Sequence, residues 1–490
     1  MSPAPNSHTE EEAYRDIDTQ RGEKARWNTE LGNQKTRMPV SGTPERGRMI
    51  LKGGIVLSMD PDVGDLPSGD VLIEGTQILD IGQDLGRDGI VIDCNGCIVL
   101  PGFVNSHIHM FQTALRGYWA DALAPQYFSQ SRNGQDALFH KYLPEDVYIG
   151  EYVGALECLN AGITTAVDTS QCSYTPAHSD AAIRGLRDSG LRAVYAFSPT
   201  TGDNIAAPDY AYPEDLTRLQ QELSDDDGLV TLALGSILDA QNWSVARELG
   251  VPIFTHVNNA QAGKDLEVLG QAGLMGGDNT YIHCNSLGAS TWAQIAATGG
   301  KVSLSNIVEQ TLQSGLPGLQ HALDHGIQPG FGTDAVSLGP TDFFAQMKAA
   351  YELQRSRIQE ARGAGRRKLP PVLSTPEIVE MATMGGANAA HLSSTVGSLT
   401  PGKEADVVVL RTATWNASPL NSATGAVVTL MDTSNVVTVV VGGNVVKRDG
   451  ELVGIDREQV LRRLGVSANG LFERSGYPRP ILGTWVSDSG

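Results

Sequence analysis

The chain has 490 residues, of which 41% are hydrophobic and 19% are charged, a composition typical of soluble globular proteins with a sizeable core. This length exceeds an ordinary single domain and fits one large barrel with an accessory domain. The formal net charge of -20 argues against a nucleic-acid partner, because phosphate contacts need clustered Lys and Arg side chains.

Residues 1–45 are polar and dense in charged side chains, so we expect an extended or partly helical N-terminal arm that forms no core of its own. This segment has no apolar h-region, and the chain has no run of about 18 apolar residues. The sequence therefore predicts neither a signal peptide nor a membrane-spanning helix. The five cysteines are too few and too scattered for a disulfide framework, which favours a reducing, cytoplasmic location.

Short β-branched runs broken by Gly, Asp and Pro lie near both ends of the chain, in residues 46–100 and 394–455. Such runs are typical of antiparallel hairpins. Neither set contains enough strands to bury two faces alone. We therefore predict that the two sets pair into one small β-sandwich domain, with the middle of the chain inserted between them. Residues 456–490 are assigned as a C-terminal tail.

The middle region, residues 101–393, alternates short apolar runs with longer segments of helical periodicity. This alternation is typical of repeated βα units and a parallel sheet. The eight candidate strands lie at residues 102–105, 164–168, 192–197, 229–234, 252–256, 280–283, 301–304 and 328–332. They predict an α/β fold, a closed (β/α)8 barrel of the TIM type, with the functional site at the C-terminal ends of the strands. An open doubly wound sheet would require a glycine fingerprint after the first strand, and the sequence has none there.

Polar side chains that suit a metal ion accumulate where these candidate strands end. His107 and His109 are two residues apart on the first strand, so both imidazoles point to the same face. His256, His283 and Asp334 end the fifth, sixth and eighth strands. Any one of these histidines is more simply explained as a hydrogen-bonded core residue, but the whole set in this order predicts a metal site. Imidazole nitrogen and carboxylate oxygen suit Zn²⁺, Fe²⁺ or Mn²⁺.

The segment from Pro101 to His109 resembles the first-strand signature of the amidohydrolase superfamily, and in particular of its branch with cytosine deaminase, guanine deaminase and the triazine chlorohydrolases. Further similar segments follow in the order of that family: its second, sixth and eighth strands and its return into the β-sandwich, at residues 162–168, 282–287, 332–335 and 382–410. The resemblance extends from about residue 48 to about residue 455.

The resemblance implies a ligand set and a reaction class. Its implied ligands for one divalent metal ion per chain, Zn²⁺ with Fe²⁺ or Mn²⁺ as alternatives, are His107, His109, His256 and Asp334. Asp334 would also act as general base, and His283 would polarise the group under attack. The expected reaction is hydrolysis of a C–N bond, as in a cyclic amide, an amidine or a deamination, or of a ring substituent on a small planar heterocycle. The protein is expected to form a homo-oligomer, a dimer or tetramer, and to have no membrane partner.

One position departs from the family pattern. Deaminases of this branch usually carry a Glu three residues after the fifth-strand histidine, where this chain has Asn259. An amide side chain can hydrogen-bond but cannot accept and deliver a proton. Glu309, just beyond the seventh strand, is either the catalytic replacement or a surface carboxylate at a helix start. The departure leaves open a metal-dependent lyase or cyclase, such as a decarboxylase, a hydratase or a natural-product tailoring enzyme, and also a non-enzymatic scaffold.

The loop after the first strand supplies further candidates for substrate binding. Gln112 and Trp119 lie close behind the two first-strand histidines, and we expect both to contact the substrate together with Asn259 and His283. Residues 120–142 contain several aromatic side chains and no obvious strand. This segment is interpreted either as a lid over the barrel mouth or as a contact with a neighbouring subunit.

Overall fold

The computed structural model describes residues 47–133, 137–199, 212–224, 228–479 and 481. The N-terminal arm predicted for residues 1–45 lies outside the described residues. Within the described residues, no helix is both long enough and apolar enough to cross a membrane.

The centre of the fold is a parallel sheet that closes on itself. Its strands are β6 (Phe103–His109), β7 (Ile163–Ser170), β8 (Arg192–Phe197), β9 (Val230–Ser236), β10 (Ile253–Val257), β11 (Asn279–His283), β12 (Lys301–Leu304), β13 (Gly330–Phe331) and β14 (Asp334–Ala335). The two short segments β13 and β14 together form the eighth strand. The first pairs with β12 and the second with β6, so the described strands complete a barrel of the TIM type. All residues of β6 and β7 are buried, as expected for a parallel sheet that is covered on both faces.

Helices follow most of these strands and cover the outside of the barrel. In the described residues they are α1 (Ala124–Phe128), α2 (Pro144–Asn160), α3 (Pro176–Ser189), α4 (Leu216–Ser224), α5 (Ala240–Leu249), α6 (Ala260–Gln271), α7 (Ala289–Ala297), α8 (Asn306–Thr311), α9 (Leu319–Asp324), α10 (Phe343–Gly363), α11 (Thr375–Glu380), α12 (Gly386–Ala389), α13 (Ala423–Thr429) and α14 (Arg457–Ser475). Short 3-10 helices span Met110–Leu115, Leu138–Lys141 and Thr433–Asn435, and π-helical turns span Ser129–Asn133 and Met381–Gly385.

A second sheet contains strands from both ends of the described chain. Its strands are β1 (Arg48–Val56), β2 (Leu66–Glu74), β3 (Gln77–Gly82), β4 (Ile90–Asp93), β5 (Cys97–Pro101), β15 (Val407–Arg411), β16 (Val436–Val441), β17 (Asn444–Arg448) and β18 (Glu451–Leu452). The two ends meet where β15 pairs antiparallel with β5. The last strand before the barrel therefore lies beside the first strand after it, which ties the two ends of the barrel segment together.

The C-terminal segment folds against the barrel instead of leaving it. Ser467 on α14 donates a hydrogen bond to Asp146 on α2, and the guanidinium of Arg474 pairs with the same carboxylate. Leu471 and Phe472 are buried in the main apolar core. Helix α14 thus covers the outer face of the helix that follows the first barrel strand.

The structure confirms the predicted barrel, since every one of the eight candidate strands overlaps a described barrel strand. The eighth differs most from the expectation, because it is divided into two short segments at Gly332 and Thr333, whose backbone N–H groups donate to the carbonyls of Leu304 and His107. A Cβ atom at position 332 would lie 2.8 Å from the carbonyl oxygen of His107, so only glycine allows the chain to pass this close. The two strand sets at the chain ends share one nine-stranded sheet; its folding into a two-layer sandwich stays a prediction.

Candidate metal centre

Five side chains converge at the C-terminal end of the barrel. The Nε2 atoms of His107 and His109 lie 3.4 and 3.3 Å from Oδ1 of Asp334, and Nε2 of His283 lies 3.7 Å from Oδ2 of the same carboxylate. The ring of His256 lies 4.8 Å from that of His107, measured between centroids. The structure therefore brings together every residue that the sequence predicted as a metal ligand, with His283 beside them.

A backbone carbonyl sets the tautomer of His109, and a threonine hydroxyl contacts the other first-strand histidine, His107. Nδ1 of His109 lies 2.7 Å from the carbonyl oxygen of Thr169. Because a carbonyl only accepts, Nδ1 carries the proton and Nε2 presents its lone pair to the centre of the site. Nδ1 of His107 lies 3.1 Å from the hydroxyl of the same threonine. The end of β7 thus aims both imidazoles at Asp334.

Burial keeps His107 and His256 neutral. It lowers the pKa of His107 to about 3 and holds the pKa of His256 well below its usual value. Burial alone would raise the pKa of Asp334, but the charge on His283 holds that pKa well below its usual value. Neutral imidazoles and an ionised carboxylate are the forms that bind a metal ion.

The donor set fits a single divalent cation. The ligand atoms of His107, His109 and Asp334 lie within 4.8 Å of one another, and so do those of His107, His256 and His283. Among the described residues, the buried Nε2 atom of His256 has no hydrogen-bond partner. A buried ring nitrogen without a partner is costly, and a metal ion at the centre of the cluster would satisfy it.

A carboxylate behind His283 fixes the orientation of its ring. Glu309, on α8, accepts a hydrogen bond from Nδ1 of His283 at 3.0 Å and one from the backbone N–H of Ser305 at 2.7 Å. Glu309 is only 2% exposed, so it is not the surface carboxylate of the alternative interpretation. Burial alone would lower the pKa of His283, but the charge on Asp334 and the hydrogen bond to Glu309 raise it above its usual value. Nε2 of this imidazole therefore keeps a proton that faces the cavity.

Two of these residues have left-handed backbone conformations. The φ angle is 71° at His283 and 59° at Asp334. Positive φ is strained for residues with a Cβ atom and is retained mainly where a site requires it. His283 is the last residue of β11 and Asp334 is the first residue of β14. The left-handed backbone at these two positions directs both side chains toward the cluster.

Aromatic side chains cover the cluster. Tyr127 and Phe128 on α1, Arg132 on the following π-helical turn and Leu312 close to α8 line the same cavity as His109 and Asp334. The cavity volume is about 30 Å³, which is room for about two water molecules. With the cover in this position, the cavity is too small to hold a heterocyclic ring. The segment at residues 120–142 thus lies where the lid interpretation expected it, among the residues that the structure describes.

Three residues that the sequence assigned to substrate binding lie elsewhere. Gln112 is fully buried and donates a hydrogen bond to the hydroxyl of Tyr127. Trp119 donates to Gln130 and packs edge-on against Tyr127, so both Gln112 and Trp119 lie behind the cover and do not line the cavity. The exposed Asn259 accepts a hydrogen bond from the backbone of Ala262 at the start of α6.

Other residues around the cavity were missed by the sequence analysis. Asn258, and not Asn259, lines the cavity, because the chain changes from strand to helix between them. Asn285 donates to Glu309 at 3.2 Å and to the carbonyl of Leu316. No sequence motif indicated that Arg132 would line the cavity. For Asn285, the one signal in the sequence that could have indicated a place near the cavity was its position two residues after the strand-end histidine His283.

A closed parallel barrel with a histidine–aspartate cluster at the C-terminal ends of its strands defines a hydrolase of the metal-dependent kind. The family profile for the amidohydrolase family matches residues 98–446, and the chain belongs to this family. It is a hydrolase that acts on carbon–nitrogen bonds, as the sequence predicted, and its relatives confirm the deaminase branch.

Among these relatives is 5′-deoxyadenosine deaminase of Methanosarcina barkeri, which is 27% identical over 87% of this chain and 99% of its own. The 5-methylthioadenosine/S-adenosylhomocysteine deaminase of Symbiobacterium thermophilum is also 27% identical, over 86% of this chain and 98% of its own. A zinc-bound adenosine deaminase structure from Xanthomonas campestris aligns with a TM-score of 0.74 at 20% identity, covering 87% of this chain and 98% of its own. The zinc complex of atrazine chlorohydrolase from Arthrobacter aurescens aligns with a TM-score of 0.75 at 22% identity, over 86% of this chain and 100% of its own.

Proposed function

We propose that the protein is a zinc-dependent deaminase that hydrolyses the exocyclic C–N bond of a planar amino-substituted heterocycle, with adenine nucleosides as the first candidates. The observation that carries this proposal is the convergence of three imidazoles and one carboxylate beneath an aromatic cover. The activities for which the relatives are named, deamination of 5′-deoxyadenosine and of 5-methylthioadenosine or S-adenosylhomocysteine, support the choice of substrate.

The residues that would hold the ion are His107, His109, His256 and Asp334. When bound there, a divalent ion such as Zn²⁺ lowers the pKa of water toward neutrality and so makes a nucleophile available at physiological pH. Fe²⁺ and Mn²⁺ accept the same donors. The choice of zinc is supported by the zinc named for the two aligned structures.

The remaining chemistry belongs to the side chains of this chain. Asp334 accepts the proton of the attacking water, because its carboxylate is ionised and lies at the centre of the cluster. His283 donates a hydrogen bond from Nε2 to the ring nitrogen or to the developing negative charge. Glu309 holds His283 in this orientation and supports its protonated form. Asp334 then passes a proton to the amino group, which leaves as ammonia, so that the carboxylate is ionised again and the deamination is complete.

Glu309 takes the place of the fifth-strand glutamate that deaminases of this branch usually carry and that this chain lacks. Asn259 is exposed and caps a helix, so the chain has no carboxylate at that position near the ring. The buried Glu309 acts on the substrate through His283 instead. A lyase or cyclase is not favoured, since the ligand set is complete and the named relatives are hydrolases. A non-enzymatic scaffold would have no need for these ligands.

We also propose that the nine-stranded sheet forms a β-sandwich beside the barrel, and that the protein acts in the cytoplasm as a dimer or tetramer. All five cysteines are free and buried, which supports a reducing compartment. Light scattering coupled to gel filtration measures the oligomeric state, and a monomeric mass would contradict that part of the proposal.

The test is an assay of the zinc-loaded protein with adenosine, 5′-deoxyadenosine and 5′-methylthioadenosine. Ammonia release and the change of the adenine absorption spectrum report deamination, and oxygen from ¹⁸O-labelled water should appear in the product. A variant with both His107→Ala and His109→Ala is the matched control and should be inactive. Failure to deaminate any of a broad panel of aminated purines, pyrimidines and triazines, in a protein with a full complement of zinc, would reject the proposal.

A further inference from the structure

A buried amide oxygen beside the candidate metal centre has no hydrogen-bond partner. Asn285, in the loop after β11, is fully buried and lines the cavity together with His283 and Glu309. Among the residues that the structure describes, none donates a hydrogen bond to its Oδ1 atom. We propose that this oxygen accepts a hydrogen bond from a second amino group of the substrate, on the ring carbon next to the nitrogen that His283 contacts, and so selects diamino heterocycles; this inference rests on the proposed function.

The contacts of the amide nitrogen fix the orientation of Asn285. Nδ2 donates to Oε2 of Glu309 at 3.2 Å and to the carbonyl oxygen of Leu316 at 3.3 Å. A carbonyl oxygen can only accept, so the side chain cannot be turned to place Oδ1 against Leu316. Both N–H groups of the amide are therefore used, and the oxygen is left as a buried acceptor. Such an oxygen is costly until a donor meets it.

Glu309 orients a hydrogen-bond donor and a hydrogen-bond acceptor at once. Its Oε1 atom accepts from Nδ1 of His283, and its Oε2 atom accepts from Nδ2 of Asn285. The N–H at Nε2 of His283 and the Oδ1 atom of Asn285 then remain for a ligand. A ring nitrogen beside a carbon that carries an amino group presents the complementary pair, one acceptor and one donor. In the proposed reaction His283 contacts the ring nitrogen next to the carbon under attack. The matching amino group therefore lies on the other side of that nitrogen and is not the group that leaves.

The loop that carries Asn285 has a strained backbone. The φ angle is 55° at Cys284 and 59° at Ser286, so the residues on both sides of Asn285 are left-handed. Such conformations persist where surrounding contacts determine them. This loop belongs to the barrel and not to the cover, so a displacement of the cover leaves the contacts of Asn285 with Glu309 and Leu316 in place.

The other amide that lines the cavity does not offer the same acceptor. Oδ1 of Asn258 already accepts from Nδ2 of Asn259 at 3.0 Å. The remaining alternative for Asn285 is a water molecule, which the cavity has room to hold. An acceptor that serves water alone would not distinguish a substrate amino group from a methyl group.

The test compares substrates of equal size that differ in one hydrogen-bond donor. One pair is 2-aminoadenosine and 2-methyladenosine, and the other is 2,4-diamino-1,3,5-triazine and 2-amino-4-methyl-1,3,5-triazine. For the zinc-loaded enzyme we expect the diamino member of at least one pair to have a kcat/KM about 10- to 100-fold above that of its methyl analogue. This exceeds the doubling that two equivalent amino groups give the diaminotriazine. The methyl group fills the same volume but leaves Oδ1 of Asn285 unsatisfied.

Two substitutions at this position separate the acceptor from the donors. Asn285→Leu has a similar size and removes both, so the preference for the diamino compound should be lost. Asn285→Asp keeps an acceptor oxygen, but a carboxylate cannot donate to Glu309. It should keep part of the preference while kcat falls for both members of each pair. Because the ratio of two kcat/KM values is independent of the amount of folded enzyme, a variant that folds only in part still gives a valid ratio.

Asn416→Leu is the matched control. Asn416 is half-buried in the loop after β15, where its Nδ2 atom donates to Oδ1 of Asn435 at 2.8 Å, and it does not line the cavity. The control should leave the ratio of each pair unchanged. A wild-type ratio no higher than the statistical doubling in both pairs, or an unchanged ratio in Asn285→Leu, would overturn the inference and leave water as the partner of Oδ1.

Calorimetric binding separates this inference from the proposed reaction. If none of these compounds is deaminated, the proposed function fails for these substrates, but dissociation constants of the same pairs are still measurable. Tighter binding of the diamino compound that is lost in Asn285→Leu supports the acceptor site. Equal binding of the two members of each pair, or no binding of any of them, contradicts it.

Discussion

Nδ1 of His283 lies 3.0 Å from Oε1 of Glu309, and the other ring nitrogen of His283 faces Asp334. The imidazole thus bridges two carboxylates, one at the centre of the candidate metal site and one behind it. Because both carboxylates favour the protonated ring, the pKa of His283 is raised despite its burial. This arrangement makes Glu309 a positioning residue whose effect is exerted through His283.

Replacing Glu309 by Gln should shift the pH dependence of the reaction. The substitution removes the negative charge that raises the pKa of His283, so the protonated form is lost at a lower pH. We expect kcat to fall by about 10- to 100-fold and the alkaline limb of its pH profile to move to lower pH. Glu267→Gln, at a half-buried carboxylate away from the cavity that accepts hydrogen bonds from Ser290 and Thr291, is the control. An unshifted profile in Glu309→Gln would leave the residue with a structural role only.

The metal ligands are tested by elemental analysis. His107→Ala and Asp334→Ala should each lose most of the zinc, because each removes one of four donors and leaves a buried site with unsatisfied groups. His321→Ala removes an exposed histidine on α9 and should retain about one equivalent of metal. Full metal and full activity in both ligand variants would show that the site is assigned to the wrong residues.

The positions of Asn259 and His283 predict that alanine substitution at the first mainly lowers stability and at the second mainly lowers kcat. Asn259→Ala removes a helix cap and should cost about 1 kcal/mol in the free energy of unfolding, with little change in kcat. Asn259→Asp keeps a capping oxygen and should recover that stability. His283→Ala removes the proposed proton donor and should lower kcat by about 100- to 10,000-fold. Steady-state kinetics beside thermal melting separates the two effects, and a larger loss of kcat at Asn259 would contradict the geometry.

Much of the fold and the convergence of the proposed ligands could be predicted from the sequence, because both depend on local patterns. Alternation of apolar runs marks the strands, and His107 and His109 share a face by strand geometry alone. The strand ends placed His256 and Asp334 at the same rim of the barrel. The deaminase family itself was recognisable from these same segments.

What the sequence could not predict depends on contacts between distant segments. The boundary between β10 and α6 decides that Asn258 lines the cavity and Asn259 caps the helix, and patterns rarely fix a boundary to one residue. The carbonyl of Thr169 that orients His109 has no side-chain signature. Arg132 reaches the cavity only through the folding of the loop after the first strand, which no periodicity describes.

A buried pair of acids beside the first strand predicts a pH-dependent stability. Glu151 on α2 and Asp168 on β7 are both fully buried, and Asp168 accepts a hydrogen bond from the backbone of Met110, next to the proposed ligand His109. Burial and the charge of Asp168 raise the pKa of Glu151 well above its usual value, and burial raises the pKa of Asp168 to about 6. The two acids therefore hold a proton in the folded protein at a pH where the unfolded chain has lost it.

The raised pKa values of Glu151 and Asp168 determine the direction in which the stability of the protein changes with pH. The contribution of the pair to stability is fully present below about pH 4, where the acids are protonated in the unfolded chain too. It is lost as the pH rises through about 6 and beyond, because the folded state must then either keep the proton or bury a second charge. Glu151→Gln cannot ionise, so its melting temperature relative to wild type should rise by about 1–4 °C between about pH 5 and about pH 8. Glu248→Gln, at an exposed carboxylate on α5, should show no such rise, and a pH-independent difference for Glu151→Gln would mean that the two acids do not share a proton.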